Sequence, residues 1–186
     1  MVTDHSKGLP IAGGKDEAAF ATQRCEITLE NARLAADRAG LTLLAGIEMN
    51  LSPTGDGDME PELLRTLDLV LGAFHSKLRL RDDQTERYLA ALRNPHIDVL
   101  AHPRGRLFNF RIGLSAHWET VLEDALRRDV ALEIDGYPDR QDLKVDLLHL
   151  AAEAGVRISL GSDATRAGRL ELPRFRDCCS DRGGDS

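Results

Sequence analysis

Short apolar runs alternate with longer segments that mix apolar and polar residues throughout the interior of this chain. The runs are "LTLLAGIEMNL", "LVLGAFH", "IDVLAH", "VALEIDG" and "VRISLGSD". Few polar residues interrupt them, which predicts strands buried on both faces. The segments between them are "DEAAFATQRCEITLENARLAADRAG", "EPELLRTLD", "DDQTERYLAALRNP", "SAHWETVLEDALRRD" and "VDLLHLAAEAG". Their spacing of apolar residues predicts helices.

Local signals predict where several of these helices begin and end. Gly40 and Gly155 are expected to stop two helices, because glycine readily adopts the left-handed conformation that ends a helix. Pro95 stops a third helix. Ser115 is predicted as the N-cap of the fourth, with Glu119 in its first turns.

The alternation of strands and helices predicts an α/β fold, in which helices cover a parallel sheet. The sheet could be open and doubly wound or closed as a barrel. With 186 residues the chain fits one domain. Neither GxGxxG nor GxxxxGK[ST] occurs, so a dinucleotide or P-loop nucleotide site is not favoured.

Composition narrows the classes of partner. The net charge of -7 opposes non-specific binding to nucleic acid or to an anionic membrane. A phosphate substrate remains open, because a metal ion or an arginine cluster can reverse the field within one cleft. The cysteines Cys25, Cys178 and Cys179 form no disulfide framework. With no signal peptide or apolar membrane-length run, we expect a cytoplasmic protein.

Potential metal ligands stand at the ends of the predicted strands. These are His5, Glu48, His75, His102 and Asp163. The carboxyl ends of parallel strands meet at one edge of the sheet, where α/β active sites lie. Imidazole nitrogen and carboxylate oxygen bind Zn²⁺, Mn²⁺ and Fe²⁺ well.

Each of these side chains also has a purely structural interpretation. A lone strand-end histidine is usually hydrogen-bonded within a loop, and Asp163 in "SDAT" could cap a helix. Five such residues at five strand ends favour a shared site instead. By contrast, His96, His117 and His149 are interpreted as surface or structural residues.

Six segments of the chain resemble, in order, the motifs of the PHP (polymerase and histidinol phosphatase) family. They are "VTDHS", "GIEMNLSPTGDGDM", "VLGAFHS", "NPHIDVLAHPRGR", "ALEIDGYPDRQDL" and "GSDAT". The resemblance is strongest to the C-terminal PHP domain of bacterial family-X DNA polymerases. It implies a distorted TIM-like barrel of seven βα units that hydrolyses phosphoesters with up to three metal ions at its rim.

The resemblance also assigns roles to individual residues. His5, Glu48, His75, His102 and Asp163 match family ligands, with Glu48 as the bridging glutamate. It further implies that Arg104, Arg106 and Arg140 lie near the substrate phosphate. Their alternative interpretation is as solvated loop residues or as structural partners of an aspartate such as Asp142.

Two departures from the family pattern limit the expected site. The family's first βα unit and its HxH pair have no counterpart, and Thr165 replaces a histidine ligand. We therefore predict an incomplete barrel over residues 1–170, followed by a loose tail over residues 171–186. Of the three family metal positions, one is expected to be well formed, by Glu48, His75 and His102. His5 and Asp163 are predicted to remain nearby as auxiliary ligands or catalytic proton carriers.

Two functions follow from this pattern. The first is a metal-dependent phosphoesterase, histidinol-phosphatase-like or acting on nucleic-acid 3′ ends, in which water on a Zn, Mn or Fe ion attacks the ester. The alternative is a degenerate, non-catalytic PHP module with a structural or interaction role. The predicted partner is a phosphoester, without a membrane. The missing βα unit is expected to expose a strand edge, so that the chain associates with a second copy, is marginally stable, or is a fragment of a longer reading frame.

Overall fold

A computed structural model describes residues 1–164 of the chain and shows the predicted alternation of strands and helices. The strands are β1 (Val2–His5), β2 (Ala45–Leu51), β3 (Leu69–Phe74), β4 (Val99–Ala101), β5 (Ala131–Asp135) and β6 (Ile158–Gly161). The helices are α1 (Glu17–Ala36), α2 (Pro61–Leu64), α3 (Thr85–Leu92), α4 (Trp118–Arg128) and α5 (Val145–Ala154), with a short 3₁₀ turn at Pro10–Ala12.

The six strands form one curled sheet. Their order in the sheet, β1-β2-β3-β4-β5-β6, is their order along the chain, and every neighbouring pair is parallel. Within residues 1–164, β1 and β6 each pair with a single neighbour, so the barrel stays open between them. The predicted fold class, an incomplete TIM-like barrel with parallel strands, is confirmed.

Two apolar layers define the two faces of the sheet. The larger core packs the helices against one face, through residues such as Ile47, Leu100 and Leu132. A smaller cluster on the other, concave face consists of Leu71, Ala73, Val99, Ala101 and Ala131. Because side chains alternate along a strand, the residues that follow this smaller cluster along β3 and β5 also face the concave side.

Two helix boundaries differ from the sequence predictions. Helix α1 ends at Ala36 rather than at Gly40, because Arg38 already leaves the helix in the left-handed conformation, at φ 54°. Helix α4 begins at Trp118, and its N-cap is His117 rather than Ser115. The backbone N–H of His117 donates to Thr85 Oγ1 at 2.8 Å, so a side chain from α3 sets the start of α4. Gly155 ends α5 as predicted, at φ 75°.

Several sequence predictions concern residues outside the described part of the chain. Thr165, Cys178, Cys179 and the tail 171–186 all lie beyond residue 164. Among the described residues, no helix combines the length and the apolar character needed to cross a bilayer. Association through the strand edges stays a prediction.

Candidate metal centre

Glu48 is the hub of a cluster of imidazoles at the carboxyl edge of the sheet. Its carboxylate lies on the concave face, and its atom Oε1 is 3.0 Å from His75 Nε2 and also 3.0 Å from His102 Nε2. His75 directly follows β3, and His102 directly follows β4. Two ring nitrogens from different strands therefore converge on one oxygen.

His5 brings a third imidazole to the same carboxylate. It pairs in register with Glu48 across β1 and β2, and its Nδ1 is 3.6 Å from Glu48 Oε2. One ligand atom each from His5, Glu48 and His75 lies within 4.8 Å of the other two, so these three residues could hold a metal ion. The ring centroid of His75 lies 5.5 Å from that of His5 and 5.4 Å from that of His102. The group of three possible ligands thus contains His5 in place of His102, whereas the predicted set is Glu48, His75 and His102; His102 Nε2 nevertheless lies 3.0 Å from Glu48 Oε1.

The backbone at His102 turns its side chain into the cluster. Val99 and Ala101 lie on the concave face, so simple alternation would direct residue 102 toward the helices. His102 instead has φ 27°, in the left-handed region that non-glycine residues rarely occupy. Its backbone N–H donates to Glu133 Oε2 at 2.8 Å. This hydrogen bond holds the turn that brings the ring to Glu48.

Glu133 fits beneath His102 because the neighbouring strand offers a glycine. A Cβ added to Gly161 would lie 1.9 Å from Glu133 Oε1. Glu133 is buried on β5, and Leu132 pairs with Ile158 of β6 in this register. The glycine therefore leaves the space that the buried carboxylate occupies.

His75 is oriented by a polar chain on its other side. Its Nδ1 lies 3.1 Å from Asn50 Oδ1, and the backbone N–H of Asn50 donates to Ser6 Oγ at 2.7 Å. When Nδ1–H donates to Asn50, the lone pair of Nε2 points toward Glu48 and can bind a metal. Such support of a ligating histidine is typical of metal sites.

The cluster perturbs the protonation of its members. Burial favours the neutral form of Glu48, but hydrogen bonds from His102 and His75 outweigh it and hold the pKa of Glu48 well below its usual range. Burial lowers the pKa of His75. Burial also disfavours the His102 imidazolium, but the hydrogen bond to Glu48 raises its pKa to about 9. The carboxylate is therefore ionised, as a metal ligand must be, whereas His102 must release its proton when a metal binds.

Two further carboxyl groups on β5 are buried next to the cluster. Burial raises the pKa of Glu133 to about 7 and that of Asp135 to about 6. Asp135 Oδ1 accepts from the backbone N–H of Tyr137 at 2.8 Å, while its Oδ2 makes no hydrogen bond. The floor of the site thus contains acids that resist ionisation.

Asp163 reaches the same cleft through an ion pair. Its Oδ2 lies 2.9 Å from Arg140 Nη2, and Arg140 Nε lies 3.6 Å from Asp135 Oδ2. Asp163 follows β6 and has φ 45°. The structure therefore links Asp163 to Arg140, and the group of three possible ligands around Glu48 does not include it.

The three predicted substrate arginines occupy different positions. Arg140 lines the cleft over Glu48, which encloses about 320 Å³. Arg104 instead donates to the carbonyl oxygens of Leu114 and Ile112, at 3.1 and 3.0 Å. Arg106 donates to the carbonyls of Arg140 (3.0 Å) and Gln141. Both of these guanidinium groups face a neighbouring depression rather than the cleft.

A buried aspartate holds the loop that carries Arg104 and Arg106. Asp142 Oδ2 accepts from the backbone N–H groups of these two residues, at 2.8 and 3.3 Å. Burial raises the pKa of Asp142. Asp142 is therefore a structural partner of Arg104 and Arg106, but it binds their backbone N–H groups rather than their side chains.

Sequence reasoning missed the polar residues that surround the histidines, which are Asn50, Glu133 and Asp135. One signal could have identified them. Asn50 lies two positions after Glu48 in "GIEMN", and Glu133 and Asp135 alternate in "ALEID". Polar residues two apart within an otherwise apolar strand face the same side, here the concave one.

Comparisons with known proteins find relatives in bacteria, and they support a PHP-type relationship to PolX. It is 34% identical over 164 residues to the DNA polymerase/3′-5′ exonuclease PolX of Bacillus subtilis, covering 88% of this chain and 28% of PolX. It is 28% identical to a "Probable phosphatase" of Photobacterium profundum (88% of this chain, 64% of that protein). A "Probable phosphatase" of Acetivibrio thermocellus is 31% identical (73% and 57%). No family model matches the chain.

Proposed function

Because this chain has a PHP-type relationship to PolX and to these phosphatases, we propose that it is a metal-dependent phosphoesterase. The names of the relatives support a function of the phosphoesterase type. The single observation that carries the metal dependence is the convergence of His75 Nε2 and His102 Nε2 on Glu48 Oε1, at 3.0 Å each. Since the chain spans 28% of PolX, the polymerase activity in that name is not part of this proposal.

The donor set fits a divalent ion of the zinc, manganese or iron type. Imidazole and carboxylate are ligands that such ions prefer. The buried Nδ1 of His5 makes no hydrogen bond within residues 1–164 although it lies 3.6 Å from the Glu48 carboxylate. A buried nitrogen in this position could bind a metal ion. We propose one ion, held by Glu48, His75 and His102 with His5 as a further ligand. A metal at such a site makes a water molecule more acidic and neutralises phosphate charge.

The protein's own residues then prepare the reaction. Asn50 fixes the ring of His75, and Glu133 fixes the backbone of His102, so both nitrogens face Glu48 before any ligand binds. Arg140 lines the cleft with a half-buried guanidinium, and we assign it to the phosphate oxygens of the substrate. The side chains of Arg104 and Arg106 donate to backbone carbonyls of other residues and thereby hold the adjoining loops.

Proton transfer completes the proposed hydrolysis. Water attacks phosphorus, the bond to the ester oxygen breaks, and the leaving oxygen takes up a proton. We assign proton transfer to Asp163, which lines the cleft, and to His5 only where it does not bind the ion. The substrate is a phosphoester, either a small phosphomonoester such as histidinol phosphate or the 3′ end of a nucleic acid.

The test combines hydrolysis of a generic phosphoester with a metal titration. Wild-type protein is expected to hydrolyse the ester only after addition of Zn²⁺, Mn²⁺ or Fe²⁺. His102→Ala should reduce this rate on the order of 100-fold, because the ion loses a ligand. His149→Ala, on the exposed face of α5, serves as the matched control and should not change it. Unchanged hydrolysis by His102→Ala contradicts the proposal, and bound metal without hydrolysis favours the non-catalytic module.

A further inference from the structure

A basic and aromatic surface lies directly beside the metal cleft, formed by the loop between β4 and α4 together with Arg81 from the β3–α3 loop and Lys144 just before α5. We define this basic-aromatic surface by Arg81, Arg106, Phe108, Phe110, Arg111 and Lys144. It lines a depression of about 590 Å³, and Leu107 lines both this depression and the cleft. Resting on the proposed function, we propose that this surface binds single-stranded nucleic acid and directs its terminal phosphoester into the cleft.

Among the described residues, most cations of this surface have no carboxylate as an ion-pair partner. Within residues 1–164, Arg81, Arg106 and Arg111 make no ion pair with a carboxylate. Arg106 and Arg111 donate instead to backbone carbonyls, which hold the side chains without cancelling their charge. Lys144 is the exception, since it pairs with Asp146. In a chain of net charge -7, this local concentration of cations is typical of a binding site for an anion.

The aromatic residues of the surface are exposed, although only 4% of the residues in the chain are aromatic. Of the phenylalanines within residues 1–164, Phe20 and Phe74 are fully buried, whereas Phe108 and Phe110 are 45% and 61% exposed. Arginines stack on both exposed rings, with Arg106 4.6 Å from the Phe108 centroid and Arg79 4.3 Å from that of Phe110. Both rings stay exposed despite these contacts, so a further planar group could contact them.

Cations and exposed rings together favour single-stranded nucleic acid over other anions. Phosphates bind the arginines, while unpaired bases stack on aromatic side chains and on guanidinium planes. A small phosphomonoester has no part that would extend past Leu107 to Phe108. A bilayer does not enter a concave depression, whereas a flexible polyanion can lie in it and still reach Glu48.

The test measures binding of a fluorescently labelled single-stranded oligonucleotide by fluorescence anisotropy, in the absence of metal. The double variant Phe108→Ala, Phe110→Ala is expected to weaken binding about tenfold or more, because each base stacked on an aromatic ring contributes about 1–3 kcal/mol. Arg81→Ala should weaken binding and reduce the slope of log affinity against log salt by about 0.7. Leu126→Ala and Arg33→Ala, at exposed helix positions on α4 and α1, are the matched controls and should bind like wild type.

Three outcomes would overturn the proposal. They are no binding of the oligonucleotide by wild type, equal binding by the Phe108/Phe110 variant, and stronger binding of anionic lipid vesicles than of oligonucleotide. Because anisotropy needs no catalysis, the surface is tested separately from the metal site. Oligonucleotide binding that depends on Phe108 and Phe110, in a protein that hydrolyses no ester, would leave the surface established while the proposed function fails.

Discussion

The backbone N–H of His102 donates to the buried carboxylate of Glu133 across 2.8 Å, and this contact holds His102 in a left-handed conformation. The left-handed turn is what directs the His102 ring toward Glu48 rather than toward the helices. Glu133 thus acts on the candidate metal site through the backbone of His102, a proposed ligand, and we regard it as a positioning residue.

Replacing Glu133 should weaken metal binding without removing any ligand. Glu133→Ala is expected to lower metal affinity by about 10- to 100-fold, the usual effect of losing support for a ligand. Glu133→Gln retains an acceptor oxygen and should bind metal nearly as well as wild type. Calorimetric titration with Zn²⁺ measures both, and wild-type affinity in Glu133→Ala would contradict this role.

Asn50 should act similarly through the ring of His75. Asn50→Ala removes the acceptor 3.1 Å from His75 Nδ1, so the ring can rotate away from Glu48. We expect a roughly tenfold loss of metal affinity. Asn50→Asp keeps an acceptor at the same place and should lose less. If the alanine and aspartate variants bind metal equally, the orienting role of Asn50 is refuted.

Asp142 is expected to stabilise the loop after β4. Asp142→Ala leaves the N–H groups of Arg104 and Arg106 without their acceptor, which should lower the free energy of unfolding by about 1–3 kcal/mol. Asp142→Asn keeps an acceptor and removes a buried charge, so it should be as stable as wild type or more so at neutral pH. Urea denaturation distinguishes these results, and an alanine variant of wild-type stability would disprove the anchoring role.

Asp135 should make the protein's stability depend on pH. Its folded-state pKa of about 6 lies above the ordinary value of about 3.9, so the unfolded chain ionises first as pH rises. Its contribution to stability is therefore full below about pH 4 and is lost as pH rises through 6.

The matching variant is Asp135→Asn, which cannot ionise. Relative to it, the free energy of unfolding of wild type should fall on the order of 2–3 kcal/mol between about pH 4 and about pH 7. Parallel denaturation curves across this range give the difference. A constant difference between the two proteins would show that Asp135 titrates normally.

Much of this architecture follows from the order of apolar and polar residues. Runs such as "LVLGAFH" predict β3 because uninterrupted apolar residues require burial on both faces, and a parallel sheet then brings the strand ends together. The placement of Glu48 near His75 and His102 follows from that topology. The start of α4 does not, because Thr85 of α3 rather than Ser115 caps the relevant backbone.

Other features depend on tertiary contacts that no local pattern records. Alternation along β4 directs residue 102 away from the site, and only the distant Glu133 carboxylate stabilises the reversed backbone. The family resemblance likewise implies a common role near the substrate for Arg104 and Arg106. Their guanidinium groups turn to backbone carbonyls of the loops, which depends on how those loops fold together.

The central claim is that Glu48, His75 and His102 share one metal ion. Its most direct test is anomalous diffraction from crystals of the protein grown with Zn²⁺. A shared ion should give an anomalous peak about 2.0–2.2 Å from a carboxylate oxygen of Glu48 and from the Nε2 atoms of both histidines. A zinc-saturated crystal with no peak at Glu48, or with peaks only at surface residues, would contradict it.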